Sequence, residues 1–227
     1  MEVTTLMQQI EKRRSIRKFD DKPISEENQK KLIDFCKEIS TENFTFLPVF
    51  NEPTCFASKI LTFGMFKNVK NYIVVKCKMP ILNEKLIDIG YCGANLLLFI
   101  TSLSLGSTWC AATFSKGKCH ADLKGNEELI SAIALGVPTE QKPNVRNSKS
   151  LNEVSSYMGE APTWFINGVK AALRAPTAMN RQEFKIRGSE EGVEFQTTKE
   201  RKSSLISFGI AKRFFELGAY PTTIKYI

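Results

Sequence analysis

The segment KLIDIGYCGANLLLFITSLSL, Lys85–Leu105, is long enough to form a core helix and contains the most apolar stretch of the chain, Ile87–Leu105. Gly106 follows it, as glycine often follows the end of a helix. Asp88, Asn95 and Thr101 interrupt the apolar residues, whereas helices that span membranes carry few polar groups. The segment therefore predicts a buried helix and no membrane span.

A second helix-like segment shares its local pattern. LIDIGY (Leu86–Tyr91) and LISFGI (Leu205–Ile210) both read Leu-Ile-x-apolar-Gly, and both predicted helices end in Leu-Gly. A glycine inside a helix costs about 1 kcal/mol relative to alanine, so its presence indicates a close approach of another element. We therefore predict that two helices cross at Gly90 and Gly209.

Helix and strand signals are intermixed along the rest of the chain. Predicted helices cover Thr4–Arg13, a segment introduced by Pro23 and Ser25 that runs to Ile39, Pro162–Arg174, and Ser203–Leu217 ending at Gly218. Predicted strands cover Tyr72–Cys77, Ala132–Val137, Phe184–Arg187 and Val193–Thr197, with Asn43–Met65 as an irregular connection and Lys142–Ser150 as a linker. The order of helix, strand, helix and glycine occurs twice, which favours an internal duplication, although apolar helices also coincide by chance.

Composition limits the class of protein. The chain has 227 residues, of which 42% are hydrophobic and 25% charged, so we expect one globular domain or two tightly merged halves. No basic segment followed by an apolar one begins the sequence, so we expect no export signal. The six cysteines then indicate reduced thiols and a cytoplasmic location. The net charge of +8 suits an anionic partner, either nucleic acid or a small molecule with a phosphate.

Metal binding and hydrolysis are both disfavoured. Cys110, Cys119 and His120 lie close in sequence, but their spacing fits no common zinc pattern, and His120 is the sole histidine. The sequence also contains no evident pair of nucleophile and general base. We therefore expect no metal and no hydrolase chemistry, and the role of Cys110 and Cys119 stays open.

Two polar motifs carry the functional signal. RRSIRKF (Arg13–Phe19) places three arginines beside a hydroxyl where a helix gives way to an extended segment, so Arg13, Ser15 and Arg17 are expected on one face. RAPTAMNRQ (Arg174–Gln182) sets two carboxamides two residues apart. Each motif alone could be a basic turn or a helix end. Together they suit a phosphate and the polar rim of a flat heterocycle.

These motifs resemble those of the nitroreductases that depend on flavin mononucleotide (FMN). RRSIRKF and APTAMNRQ match two of the family's segments, while SLGSTWCAATF (Ser104–Phe114) and SAIALGVP (Ser131–Pro138) match two more. The resemblance implies an α+β nitroreductase-like fold, with a central, mostly antiparallel sheet surrounded by helices. It also implies two pseudo-symmetric halves merged into one globular unit, residues 1–150 and the shorter 151–227.

One departure from the family pattern suggests how the site is built. In most members the amide motif follows the first helix, but TENFTFLPVFNEPTCF (Thr41–Phe56) at that place lacks it. The sequence is similar to the branch of the family in which one chain folds as a pseudo-dimer. The resemblance then implies a monomer with one FMN site that takes a segment from each half, although further dimerisation stays open.

The resemblance also assigns roles to single residues. It implies that Arg13 approaches the pyrimidine edge of the flavin and stabilises negative charge there, as an electrostatic aid rather than a catalytic acid or base. The other expected FMN-binding residues are Arg14, Ser15 and Arg17 at the phosphate; Ala111 and Ala112 near the flavin N5; Pro176, Thr177 and Ala178 against the ring; Asn180 and Gln182 at its polar rim; and Arg146 and Lys149 at the phosphate. Glu183 stands where the family commonly has proline, which changes the pocket beside it.

The expected activity follows from the resemblance. NADH or NADPH would reduce FMN, and a nitroaromatic or quinone would then oxidise it in a ping-pong cycle. Family members with other reactions stay open as alternatives, including uptake of electrons from ferredoxin, reductive dehalogenation and flavin fragmentation. A basic module that binds nucleic acid or stores flavin is the alternative outside enzymes, but the aromatic residues beside the basic ones in KRFFELGAY (Lys212–Tyr220) have core spacing. We expect neither a nucleic-acid partner nor a membrane.

Overall fold

The computed structural model describes residues 2–139 and 147–227. The described residues form two compact units that interleave along the chain. Unit 1 is drawn from Met1–Glu11, Leu82–Asn95 and Asn144–Ile227, and unit 2 from Lys12–Ile81 and Leu96–Pro143. These boundaries differ from the predicted division at residue 150, since two earlier segments belong to unit 1. The duplication behind the predicted division stays a prediction.

The elements confirm an α+β chain. The helices are α1 (Val3–Ile10), α2 (Glu26–Ile39), α3 (Asn83–Ser102), α4 (Leu151–Val154), α5 (Thr163–Arg174) and α6 (Lys202–Ala219). The strands are β1 (Phe44–Val49), β2 (Asn71–Lys78), β3 (Gly106–Cys110), β4 (Glu127–Gly136), β5 (Ser155–Tyr157), β6 (Phe184–Gly188) and β7 (Val193–Thr197). Within the described residues, no helix combines the length and apolarity that a membrane crossing requires.

Unit 2 is built on a four-stranded antiparallel sheet with the order β1-β2-β4-β3. β2 lies in its middle and is buried over seven of its eight residues, as expected for its run of β-branched side chains. Helix α2 packs beside the sheet, and Ser25 is its N-cap. Phe35 of α2 stacks on Phe99 with 4.2 Å between ring centroids. The antiparallel sheet predicted from the sequence is confirmed.

Strand β1 corrects the expectation that residues 43–65 form an irregular connection. Pro48 argues against a central strand because it lacks an N–H donor. Pro48 lies on β1 opposite Ile73 of β2, and among the described residues β1 is at the edge of the sheet and pairs with β2 alone. An edge strand tolerates proline, so a strand forms where the sequence pattern predicted none. The residues after it are irregular as expected, and they leave Ile60 and Phe63 exposed.

Unit 1 contains the predicted helix crossing. A Cβ atom added at Gly90 in α3 would lie 2.1 Å from the carbonyl oxygen of Ile206, and one added at Gly209 in α6 would lie 2.0 Å from that of Ile87. Side-chain atoms cannot occupy such positions, so the two backbones pack directly on each other at these glycines. The predicted crossing at Gly90 and Gly209 is confirmed.

Helix α5 packs against the other part of α6. A Cβ atom at Gly168 would meet the Phe215 ring at 2.7 Å, and one at Gly218 would meet the Ala171 Cβ at 2.4 Å. Gly218 therefore lies inside α6 and does not end it, which corrects the predicted end of that helix. Phe195, from the predicted hairpin β6–β7, packs edge-on against Phe215 with 5.8 Å between ring centroids. The small and aromatic residues together bury this face of α6.

The long helix α3 also ends earlier than predicted. Ser104, just beyond it, takes a φ of 59°, which turns the chain from the helix into β3. Gly106 is the first residue of β3, where an added Cβ would lie 2.8 Å from the Ile16 Cβ. The glycine is thus required by a close approach of another segment and not by a helix cap.

A nearly buried ion pair joins β2 to β4 within unit 2. The Lys76 Nζ donates to Glu127 Oε2 at 2.9 Å and to the Asp122 carbonyl at 2.7 Å. The two side chains are 8% and 11% exposed. The Lys76 hydrogen bond, aided by that of the Lys124 N–H, holds the pKa of Glu127 below its ordinary value. A buried pair of this kind resists screening by salt.

We expect Glu127→Gln to lower the free energy of unfolding by about 1–2 kcal/mol at pH 7, because glutamine can still accept the bond but carries no charge. Since folding lowers the pKa of Glu127, its contribution is present above the ordinary value of 4.5 and is lost as the pH falls through the lowered one. The free energy of unfolding, measured with urea, should therefore differ between the wild type and Glu127→Gln at pH 7. This difference should be smaller at pH 3. An equal difference at both pH values would contradict this account.

Candidate functional site

The basic segment Arg13–Phe19 is held along the edge of β3 in unit 2. The Ile16 N–H donates to the Ser107 carbonyl at 2.9 Å, and Thr108 Oγ1 donates back to the Ile16 carbonyl. The Lys67 N–H donates to the Arg17 carbonyl at 3.0 Å. The Ile16 side chain fits against Gly106, which explains why this segment can approach β3 so closely. The fold therefore fixes the backbone of the segment on both sides.

The side chains of this segment differ in exposure. Arg13 is 6% exposed, Ser15 is half-buried, and Arg14 and Arg17 are exposed. The predicted alternation, with Arg13, Ser15 and Arg17 on one face, is therefore not what the burial shows. The segment makes isolated bridges and no continuous strand, so the strict two-residue period of a strand does not extend along it. Arg14 and Arg17 are the arginines open to an anionic ligand.

The end of β3 lies beside the same segment. Cys110 ends the strand, and the exposed Ala111 and Ala112 follow it. Burial raises the pKa of the Cys110 thiol to about 11, although the positive charge of nearby Arg17 acts in the opposite direction. This thiol is therefore neutral at pH 7 and unsuited to nucleophilic chemistry. Unit 2 thus brings together Arg17 and the two alanines that the resemblance assigned to one ligand.

The APTAMNRQ segment, residues 175–182, forms a loop in unit 1 that is called the amide loop. It is organised around Gln182. This residue is fully buried, and its Oε1 accepts the Lys149 N–H at 2.8 Å. Its Nε2 donates to the Leu173 carbonyl at 3.1 Å and to Ser148 Oγ at 3.3 Å. Both amide donors are used inside unit 1, and the predicted contact between Gln182 and a flavin rim stays a prediction. Gln182 positions the loop and the segment at 148–149.

Asn180 lies on the exposed side of the same loop. Its Nδ2 donates to the Asn147 carbonyl, so Asn180 and Gln182 both hold the chain around residue 148. Met179, Asn180 and Gln182 have φ values of 53°, 55° and 49°. Such left-handed conformations are uncommon away from glycine and cost free energy, and they concentrate at functional sites. The loop is therefore a tightly specified structure with the Asn180 side chain on its exposed side.

Helix α6 supports the start of the loop. The Ala178 N–H donates to Ser207 Oγ at 3.0 Å, and the Gln182 N–H donates to Thr177 Oγ1 at 3.1 Å. Pro176 precedes this pair and is half-buried. Sequence patterns gave no signal for Ser207, because a serine on an apolar helix resembles any other polar interruption.

Of the two basic residues that the resemblance placed at the phosphate, Arg146 and Lys149, the structure describes only Lys149. Lys149 Nζ donates to the Gln182 carbonyl at 3.0 Å, so its ammonium is held at the amide loop. Arg146 lies outside the described residues. The amide loop and Lys149 are therefore one assembled group within unit 1, as the arginine segment and Ala111–Ala112 are within unit 2.

Glu183 occupies the place of the family's usual proline. Its Oε2 accepts from Ser204 Oγ at 2.7 Å, and its Oε1 accepts from Arg201 Nη2 at 2.5 Å. Burial acts to raise the pKa of Glu183, but the hydrogen bonds of Ser204 and Arg201 outweigh it and hold the pKa below the ordinary value. The carboxylate thus joins the amide loop to the beginning of α6, and its charge is balanced by Arg201.

The donor set fits a phosphate-bearing flavin better than a metal. Arginine guanidinium groups and a serine hydroxyl can all donate to phosphate oxygens, and exposed backbone N–H groups can donate to a ring nitrogen or carbonyl. In the part of the chain that the structure describes, no three His, Cys, Asp or Glu side chains meet in a way that could hold a metal ion. The residues present therefore suit an anionic, aromatic ligand.

Comparisons with known proteins identify the family and the fold of the chain. The model of a family described as "Putative TM nitroreductase" matches residues 5–219. The solved structure of a "putative nitroreductase" from Thermotoga maritima is 18% identical, with a TM-score of 0.67 over 96% of this chain and 85% of that chain. The search of curated proteins found no match.

Two further solved structures share the fold over a smaller part. Nitroreductase A from Vibrio parahaemolyticus is 19% identical, with a TM-score of 0.50 over 64% of this chain and 72% of that chain. A "putative nitroreductase" from Desulfovibrio desulfuricans, solved in complex with FMN, is 22% identical, with a TM-score of 0.50 over 69% of this chain and 96% of that chain. At these identities the likeness shows the fold alone.

The fold and the family match together define the class of the protein. It has the nitroreductase fold, as the sequence motifs predicted. The chain belongs to the nitroreductase family whose model spans residues 5–219.

Proposed function

We propose that the chain is an FMN-dependent oxidoreductase that transfers reducing equivalents from NADH or NADPH to a nitroaromatic or quinone acceptor. The observation that carries the proposal is the fixed arginine segment of unit 2, where exposed Arg14 and Arg17 flank half-buried Ser15 on a backbone bonded to β3. Membership of the nitroreductase family supports the same reading. The FMN named with the Desulfovibrio desulfuricans structure makes that cofactor the first candidate.

The proposed binding roles follow from exposure and charge. Arg14 and Arg17 hold the FMN phosphate, because their guanidinium groups donate paired hydrogen bonds to oxygen anions. Ser15 adds a hydroxyl donor between them. Arg13 contributes positive charge at the pyrimidine edge from a nearly buried position, where a charge acts more strongly than in water. The Ala111 and Ala112 N–H groups donate toward the ring.

The amide loop supplies the second group of contacts in the proposal. Pro176, Thr177 and Ala178 lie against the apolar face of the flavin ring. Asn180 forms hydrogen bonds with the polar atoms at the rim of the ring. Gln182 holds the loop against Lys149 and so positions the other residues of the loop. Lys149 and Arg146 add positive charge toward the phosphate.

FMN, when bound, accepts a hydride from a nicotinamide and passes reducing equivalents to the acceptor. The chain's own contribution is binding, orientation and electrostatics. The cation at Arg13 favours the negative charge that a reduced flavin carries, and it is in place before that charge forms. No side chain of the proposed site has to supply or remove a proton as a catalytic acid or base, which agrees with the neutral thiol of Cys110.

We further propose that a single chain supplies the whole site, as in a pseudo-dimer. The support is that the amide motif lies in the second half of the chain, whereas Thr41–Phe56, the place where most family members carry it, lacks it. On this account the protein retains FMN as a monomer. Sedimentation velocity with detection at flavin wavelengths tests it: a flavin-bearing species at the monomer mass of 25.6 kDa is expected, and flavin confined to a dimer would overturn the single-chain site.

The test of the function is an absorbance spectrum of the purified protein followed by anaerobic addition of NADH and then NADPH. We expect oxidised-flavin bands that bleach with one or both nicotinamides and return when a nitroaromatic or quinone is added. Bands that persist with both nicotinamides but bleach with reduced ferredoxin would replace the proposed donor. A colourless protein that also fails to bind added FMN would overturn the cofactor and the site.

A further inference from the structure

Two cysteines of unit 2 lie in contact away from the proposed FMN-binding residues. Cys55 belongs to the short turn Thr54–Phe56 and is fully buried, whereas Cys119 follows the turn Lys116–Lys118 and is partly exposed. Cys119 packs against the cluster of buried side chains that contains Cys55, and each thiol shifts the pKa of the other. The Ser115 N–H donates to the Cys55 carbonyl at 2.8 Å, so backbone bonds hold the two turns together as well.

A second polar contact closes the other side of this pair. Thr54 Oγ1 donates to the Lys118 carbonyl at 3.3 Å. Phe56 and Phe114 pack between the turns with 6.0 Å between ring centroids. The two turns that carry Cys55 and Cys119 are therefore held together, which keeps the two cysteines close to each other.

The two thiols differ in reactivity. The neighbouring Cys55 thiol lowers the pKa of Cys119, partly opposed by burial. The Cys119 thiol, together with burial, raises the pKa of Cys55. The groups facing the pair are Tyr72, whose hydroxyl donates to Glu52 Oε2 at 2.9 Å, Glu52 itself and Cys110. The partly exposed sulfur is thus the better nucleophile, and the buried one lies beside it.

We propose that Cys55 and Cys119 form a redox modification site that a peroxide converts reversibly into a disulfide. The Cys119 thiolate attacks one peroxide oxygen, which gives a sulfenic acid and releases water or an alcohol. The Cys55 sulfur then attacks the Cys119 sulfur and displaces water. In sum, two thiols lose two electrons and two protons to one peroxide, and a small-molecule dithiol returns them.

The other cysteines do not share these features. Cys36, Cys77 and Cys110 are buried, and burial raises the pKa of Cys110 to about 11 and that of Cys36 to about 12. Cys92 is partly exposed, but burial and the negative charge of Asp88 raise the pKa of its thiol. Cys92 is therefore a matched control, because its thiol is partly exposed like that of Cys119 but has no partner thiol in the proposed reaction.

The disulfide has a consequence that rests on the proposed function. Cys119 lies seven residues after Ala112, and the bond ties the segment that begins at Ala111 to the turn at Cys55. Oxidation would thus restrain the backbone that we propose faces the flavin. The site itself is independent of FMN, because none of its residues belongs to the proposed flavin contacts.

The experiment treats the reduced full-length protein, freed of reductant, with one equivalent of hydrogen peroxide, followed by alkylation and tryptic mass spectrometry. We expect a linked pair of the peptides Glu38–Lys59 and Cys119–Lys124, lighter by two hydrogens than the two thiol peptides together, which a dithiol separates again. Cys119→Ser should slow the loss of thiols to peroxide about tenfold or more. Cys55→Ser should keep the wild-type rate but stop at a sulfenic acid on Cys119, detected with a dimedone probe.

The matched variant Cys92→Ser should oxidise like the wild type. Sulfenic acid on Cys119 in the wild type without the linked peptides would overturn the proposal, as would first oxidation at Cys92. Absence of bound FMN would leave these results unchanged, so failure of this site and failure of the proposed function can be told apart. Circular dichroism of each variant checks that a lost disulfide does not reflect a lost fold.

Discussion

Replacing Gly209 by alanine is expected to lower the free energy of unfolding by about 3 kcal/mol or more. The added Cβ would lie 2.0 Å from the carbonyl oxygen of Ile87 and 2.9 Å from the Tyr91 nitrogen, both in the backbone of α3. A flexible side chain could move aside, but a helix backbone can do so only by separating the two helices. Urea unfolding followed by circular dichroism measures the loss.

The sign of this effect distinguishes packing from helix propensity. In an exposed helix interior, alanine in place of glycine stabilises by about 1 kcal/mol, so propensity alone predicts a gain at Gly209. Gly90→Ala should behave like Gly209→Ala, because its Cβ would lie 2.1 Å from the Ile206 carbonyl oxygen. Gly117→Ala is the matched control, since no atom lies within 4 Å of its added Cβ, and it should change stability by less than about 0.5 kcal/mol.

A stable Gly209→Ala protein with an unchanged urea midpoint would contradict the direct backbone contact between α3 and α6. So would equal losses at Gly209 and Gly117, because that result would indicate a general effect of replacing glycine. A loss at Gly209 and Gly90 alone attributes the cost to the crossing within unit 1.

This crossing was the part of the fold that the sequence predicted best, and the reason is local. A glycine inside an apolar helix is disfavoured unless something packs against it, so Gly90 and Gly209 both indicated a close contact. Strand β1 was missed because Pro48 disfavours a strand locally, while its edge position depends on how β2 pairs with β4. Similarly, Gly106 resembled a helix cap, but the segment that requires it lies some ninety residues earlier at Ile16.

The candidate site shows the same limit. Charge and hydrogen-bonding capacity could be read from RRSIRKF, so the sequence predicted Arg14 and Arg17 as ligand-binding candidates, and both side chains are exposed in the structure. Burial could not be read, because it depends on long-range contacts. Gln182 was expected to face a ligand, yet its amide binds the chain at residues 148–149, more than thirty positions earlier. Two amides that lie two residues apart in one motif thus divide into one positioning residue and one exposed residue.

Arg17→Ala is expected to weaken FMN binding by about 10- to 100-fold, because a hydrogen bond to a charged group contributes about 1.5–3 kcal/mol. Arg17 is exposed, so its loss should leave the fold intact. Asn180→Ala is expected to weaken the same binding by about 3- to 10-fold through the loss of neutral hydrogen bonds. Quenching of flavin fluorescence on titration into the apoprotein gives both dissociation constants.

The matched control is Arg187→Ala, which removes an exposed arginine paired with Glu194 on the hairpin and should leave FMN affinity unchanged. Raising the salt concentration should weaken binding to the wild type more than to Arg17→Ala, because the variant lacks one contact with the phosphate charge. Because Arg17 belongs to unit 2 and Asn180 to unit 1, weaker binding in both variants within a monomeric protein would support a single site supplied by one chain. If Arg17→Ala alone weakens FMN binding, the amide loop serves another ligand, and the flavin site requires the arginine segment without Asn180.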